Sequence, residues 1–137
     1  MKKILAIDDD EGIRDIIKII CEQAGYSIEL KSDGNDVLHN KYVIPDLFLV
    51  DKQLSGINGL DICRHLKSRA NTSDIPVIMI SASPDIEKLS KAAGADNYIE
   101  KPFEISYLLK MIYDYTNLAV NAIAEIQHPD KVHHDNL

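Results

Sequence analysis

Positive charge is scarce in this chain: 15 Lys and Arg stand against 22 Asp and Glu, a formal net charge of -7 over 137 residues. Direct nucleic-acid binding needs a basic face, and anionic lipid attracts basic patches. The expectation is therefore no DNA and no membrane among the partners. Cysteine is almost lacking. Cys21 and Cys63 are isolated inside helical patterns, with neither the close spacing of a metal site nor the density of a disulfide scaffold. Both read as small buried apolar residues. No apolar run approaches the length of a membrane span, and only Ile4 to Ile7 separate Met1-Lys2-Lys3 from Asp8, too few residues for a signal-peptide core. The expected localisation is cytoplasmic. Internal repeats and low-complexity linkers are missing too, and 45% hydrophobic content at this length suits one domain with a sizeable core.

What the chain does contain is short apolar runs that end in polar groups. Leu47-Phe48-Leu49-Val50, bounded by Pro45 and by Lys52-Gln53-Leu54-Ser55-Gly56, reads as a strand buried on both faces, with Asp51 at its carboxyl end. Ile4-Leu5-Ala6-Ile7 is a second such strand, stopping at Asp8-Asp9-Asp10. Ile13, Ile16, Ile17, Ile20 and Ala24 then recur at helical spacing, with Arg14, Asp15, Lys18 and Glu22 on the other face and Gly25 as the stop. Ser27-Ile28-Glu29-Leu30 predicts a strand nearer the edge, and Asn35 to Lys41 a short helix. Leu60, Cys63, Leu66 and Lys67 open the next helix. Pro76 to Ile80 is the fourth strand with Ser81 at its tip, Ile86 to Ala93 a helix closed by Gly94, and Tyr98-Ile99 the fifth strand before Lys101-Pro102. Five alternations of strand and helix predict an α/β fold, a five-stranded parallel sheet with helices on both faces joined by right-handed crossovers.

In such a sheet the strand tips share one edge, and ligands collect there. Asp8, Asp9, Asp51, Ser81 and Lys101 are thereby brought together. Asp10 reads as a helix cap instead. Solvation accounts for one acid at a strand end, but poorly for three beside a lysine. Carboxylates forced together repel, and a divalent cation relieves them; Mg²⁺, a hard ion taking oxygen ligands and commonly a phosphate, suits this set. A carboxylate can also act as nucleophile and form an acyl phosphate. Mg²⁺, an ammonium and a hydroxyl are apt partners for the phosphoryl oxygens.

Taken with the Asp51-to-Gly59 spacing, the Ser81-Ala82 pair and the run from Gly94 to Phe103, these residues make the chain resemble a receiver domain of the two-component response-regulator family, in its single-domain, chemotaxis-regulator-like form. The resemblance covers Lys2 to about Tyr115. It implies flavodoxin-like strand order 2-1-3-4-5 and a receiver domain over 1–116, with 117–137 a C-terminal extension. It further implies phosphorylation of Asp51, direct Mg²⁺ ligation by Asp9 and Asp51, Asp8 acting through water, and the Gln53 main-chain carbonyl completing the protein ligands. Ser81 and Tyr98 would form the switch pair, and Lys101 the phosphoryl contact. A cis Lys101–Pro102 peptide is implied as well. The protein would be a phosphoacceptor that supplies residues for its own phosphorylation and dephosphorylation, not an enzyme in the usual sense.

Two departures from the family stand out: Ser55 occupies a position usually held by proline, and the Ser81-to-Lys101 segment is about two residues short, with Pro84 early in it, which predicts a short fourth helix. Among rival readings, a flavin site would need a phosphate cradle where Asp8-Asp9-Asp10 repel phosphate. An aspartate-nucleophile phosphatase would place its nucleophile in an Asp-x-Asp loop after the first strand. The closer alternative is a receiver-like interaction module that is not phosphorylated. With 22 residues beyond Tyr115, no output domain is expected. The expected partners are a sensor histidine kinase or phosphotransfer protein upstream and another protein downstream. Ile105, Leu108, Ile112, Tyr115, Ala119, Ala122 and Ile126 follow a heptad. One reading is a continuous helix from Glu104 to Gln127 that forms a homodimer, the other a helix ended by Asn117.

Overall fold

The computed structural model describes residues 1–117. Five strands alternate with five helices: β1 (Lys3–Ile7), α1 (Glu11–Gln23), β2 (Ser27–Lys31), α2 (Asn35–Leu38), β3 (Leu47–Asp51), α3 (Gly59–Ser68), β4 (Val77–Ser81), α4 (Ile86–Ala92), β5 (Asn97–Glu100) and α5 (Ile105–Thr116). All neighbouring strands are parallel, in the order β2-β1-β3-β4-β5. This is the predicted 2-1-3-4-5 arrangement.

The apolar runs explain the layering. Side chains alternate across a strand, so a run apolar at every position feeds two cores. Ile4, Ala6, Leu47, Leu49, Ile78, Ile80 and Ile99 pack on one face with Ile17, Ile20 and Cys21 of α1 and Leu108, Met111 and Ile112 of α5. Leu5, Ile7, Phe48, Val50, Val77 and Met79 pack on the other with Val37, Leu60, Ile62, Cys63, Leu66 and Ile86. Strand β2 is half-buried throughout, as its alternating sequence and edge position require. Both cysteines are buried.

Local chemistry sets the ends of the helices. The Asp10 carboxylate accepts from the Ile13 amide at 3.0 Å and starts α1, and Asn58 accepts from the Leu60 amide at 2.9 Å and starts α3. Helix α4 is short, as Pro84 foretold. Helix α2 is a single turn, shorter than predicted, because Asn40 adopts a left-handed φ of 60° that ends it before Lys41. Ile16, expected on the buried face of α1, is 44% exposed. The buried stripe of α1 is narrower than the apolar pattern: Ile17, Ile20 and Cys21 are its buried residues, Ile13 packs partly buried beside them, and α5 covers the rest of this face. Helix α5 spans Ile105–Thr116, with Asn117 at its C-cap. The remaining heptad positions, and with them the dimer surface, lie outside the described residues. Among the described residues, no helix is long and apolar enough to cross a membrane.

Hydrogen bonds past the strand ends level the tips that carry the chemistry. The Asp8 amide donates to the Lys31 carbonyl, the Lys52 amide to Ile80, and the Lys101 amide to Ser81, at 3.1, 2.9 and 2.9 Å.

Candidate functional site

Asp8 follows β1, Asp51 ends β3, and both carboxylates are buried, at 1% and 4% exposure. Asp9, one residue further into the loop, is exposed. Carboxylate oxygens of the three lie within 4.8 Å of one another. Lys101, just beyond β5, extends its ammonium between two of them, 3.1 Å from Asp8 Oδ2 and 3.4 Å from Asp51 Oδ2. Burial pushes the Asp51 carboxyl up to about 6, helped by the charge of Asp8 and opposed by Lys101. Burial opposes the Lys101 charge, yet hydrogen bonds and attraction to Asp8 and Asp51 raise its pKa above the ordinary value. The cluster is two buried acids and one exposed acid, with the Lys101 ammonium between the two buried ones. This is an acidic pocket of the kind that holds Mg²⁺, an ion that accepts oxygen ligands from one or two carboxylates.

The pocket's walls come from the adjoining loops. The Gln53 amide donates to Asp51 Oδ1 at 3.3 Å, and Gln53 pairs with Asn58 in a small antiparallel bridge that closes the loop after β3. Gly56 turns that loop with φ of 77°. The Gly59 amide donates to the Lys52 carbonyl at 2.8 Å, tying the start of α3 to the residue after Asp51. Ser81 is fully buried at the tip of β4 and accepts from the Ser83 amide at 2.9 Å. The Lys101–Pro102 peptide is cis.

Tyr98 stands apart from this cluster. It is half-buried, packs on the core beneath α3 and α4, and lines a cleft with Glu100, Pro102, Phe103 and Tyr107. Burial, then the charge of Glu87 and a hydrogen bond to it, push the Tyr98 hydroxyl's pKa up. Among the described residues no hydrogen bond joins Tyr98 to Ser81.

Two contributors escaped the sequence reading. Arg14, assigned to the polar face of the first helix, turns back and donates from Nη1 to the Asp8 carbonyl at 2.7 Å. Its place in the first turn after Asp8 was the available signal. Ser55, noted for its effect on the loop, donates its hydroxyl to Asp9 Oδ2 at 3.2 Å. No local pattern announces a contact across 46 positions.

The response regulator receiver domain family model matches residues 4–113. Among curated proteins, the DNA-binding dual master transcriptional regulator RpaA of a Synechocystis strain is 35% identical over 115 residues, covering 82% of this chain and 48% of RpaA. The DNA-binding response regulator MtrA of Mycobacterium tuberculosis is 33% identical over 114 residues, covering 81% and 49%. Among solved structures, the Vibrio cholerae chemotaxis protein CheY4 superposes with a TM-score of 0.77 at 27% identity, covering 84% of this chain and 98% of that one. The BeF3-activated DrrB receiver domain superposes with a TM-score of 0.74 at 26% identity, covering 84% and 97%.

The chain spans about half the length of the curated relatives it matches. This corrects one expectation. Absence of DNA among the partners was inferred from net charge, but these relatives are themselves named as DNA-binding. Net charge describes the surface of the receiver unit and does not govern what a longer relative built on that unit binds. The apolar strands, the acidic tips and the family match agree: the chain belongs to the receiver domains of two-component response regulators.

Proposed function

We propose that residues 1–116 form a phosphorylation-dependent switch in which Asp51 is the phosphoacceptor. The observation that carries this reading is the convergence of Asp8, Asp9 and Asp51 within 4.8 Å, with Lys101 bridging the two buried acids. A carboxyl titrating near pH 6 is ionised at neutral pH and available as a nucleophile. One Asp51 oxygen attacks the phosphorus of a phosphohistidine on a sensor kinase or phosphotransfer protein. The O–P bond forms, the P–N bond breaks, and the imidazole leaves with the electron pair and takes up a proton. Asp9, Asp51 and the Gln53 main-chain carbonyl would hold Mg²⁺, with Asp8 acting through water. The ion supplies charge neutralisation for the phosphoryl oxygens.

Lys101 then exchanges its pairing with Asp51 for a phosphoryl oxygen, and the Ser81 hydroxyl donates to another, giving up its contact with the Ser83 amide. Tyr98 is the second member of the switch, leaving Glu87 when Ser81 moves. Hydrolysis of the acyl phosphate by water attack on phosphorus returns the free carboxylate and inorganic phosphate. The BeF3-activated form of the similarly folded DrrB receiver supports this reading. The alternative of an unphosphorylated interaction module has no observation in its favour, since every acid, the hydroxyl and the lysine are in place.

Incubation with a small phosphodonor and Mg²⁺, read by intact mass, should add one phosphoryl group to the chain and none to Asp51→Asn. Labelling that survives in Asp51→Asn, or that proceeds unchanged with chelator, refutes the assignment.

A further inference from the structure

Each acid of the pocket has its own organising donor. Asp8 receives Lys101 and the Asp10 amide, at 3.1 and 3.0 Å, and Asp51 receives Lys101 and the Gln53 amide, at 3.4 and 3.3 Å. Asp9 is the exposed member, and the hydrogen-bond donor that reaches it among the described residues is the Ser55 hydroxyl, 3.2 Å from Oδ2. The loop that carries Ser55 is tied at both ends. The Gln53–Asn58 bridge and the Gly59–Lys52 hydrogen bond close its base, and Gly56 supplies the left-handed turn beside Ser55. A side chain on such a loop sits at a set height above the pocket.

We infer that Ser55 is a positioning residue for Mg²⁺, acting through Asp9. This deepens the proposed function and rests on its reading of the pocket as a Mg²⁺ site. A carboxylate that bonds a metal through one oxygen is oriented by donors on the other, and loss of such an outer partner weakens metal binding. Oδ2 is the oxygen that Ser55 occupies. A proline at position 55, usual in the family, could stiffen the loop but has no hydroxyl to donate. In this chain the loop after β3 thus contributes twice, through Gln53 near Asp51 and through Ser55 on Asp9. Because the Ser55–Asp9 pair is exposed to water, which replaces part of any lost hydrogen bond, the effect falls at the low end of that expected for outer partners.

Calorimetric titration of Mg²⁺ into the full chain and into Ser55→Ala, Ser55→Thr and Ser55→Pro tests the assignment. Ser55→Ala should weaken binding about three- to tenfold, Ser55→Thr should return it to within about twofold of wild type by restoring the donor, and Ser55→Pro should stay weak. Thermal melts in chelator verify that each variant folds, and a variant that does not fold is replaced by Ser55→Cys, whose weak donor should give an intermediate affinity. Ser55→Ala binding within twofold of wild type, or Ser55→Thr binding as weakly as Ser55→Ala, overturns the role of the hydroxyl while leaving the Mg²⁺ site intact. Ser55→Pro binding as tightly as wild type overturns it too, by showing that loop stiffness suffices. A wild-type chain that does not bind Mg²⁺ defeats the reading of the pocket and this inference with it.

Discussion

Gly59 lies so close to Asp51 that a Cβ there would overlap the Asp51 carbonyl oxygen. The start of α3 is thereby pressed onto the residue that ends β3, and the loop between them is held over the acidic pocket.

The first prediction concerns this contact. Gly59→Ala must push the helix away from the strand tip, and overpacking against backbone costs about 2–3 kcal/mol. The expected fall in melting temperature is roughly 6–12 °C. A melt within 2 °C of wild type, taken here as roughly the resolution of such a comparison, would mean that the loop adjusts without strain.

Asp51 should also leave a mark on the pH dependence of stability. Burial raises its pKa from 3.8 to about 6, so the folded state holds this proton more tightly than the unfolded chain does. The associated stability is complete below about pH 4 and is lost as pH rises through 6. Asp51→Asn removes that loss. Denaturant titrations in chelator should therefore show the variant gaining about 1–1.5 kcal/mol on wild type between pH 5 and pH 7.5. Parallel stability profiles for the two proteins would contradict the assignment of the buried titration to Asp51.

Protons and Mg²⁺ should compete for the same carboxylate. With Asp51 titrating near 6, Mg²⁺ affinity should weaken by roughly tenfold between pH 7.5 and pH 5. Calorimetry at pH 6 in buffers of different ionisation enthalpy should detect proton release on binding. Affinity that stays flat across this range would place the ion away from Asp51.

Cys21 and Cys63 should behave as core residues. Burial pushes both thiols up to about 11, so neither is a thiolate at neutral pH. Labelling by a thiol reagent should follow the rate of global unfolding, accelerating in denaturant to the same extent for both. Fast labelling of either thiol in the native protein would reveal local opening of α1 or α3.

Much of this molecule was legible in its sequence because the relevant signals are local. Leu47 to Val50 read as a strand buried on both faces, since the run is short, apolar at every position and bounded by Pro45 and by the polar stretch Lys52 to Gly56. Parallel connection then put Asp8, Asp9, Asp51, Ser81 and Lys101 on one edge without reference to coordinates. Pro84 likewise announced a short α4.

Other features depended on neighbours that sequence periodicity does not describe. Ile16 fits the apolar spacing of α1 but lies outside the stripe that the sheet can cover. Asn40 ends α2 through a left-handed backbone geometry that the residues from Asn35 to Lys41 did not announce. The sequence by itself determined the order of strands and helices and the chemistry at their tips, because periodicity and buried strand ends are properties of consecutive residues. The tertiary structure alone decided that Arg14 returns to Asp8, that Ser55 reaches Asp9, and that Tyr98 lines a cleft with Glu100, Pro102, Phe103 and Tyr107. These are matters of angstrom-scale reach between side chains, Ser55 and Asp9 being 46 positions apart, and that distance is set by loop geometry and packing.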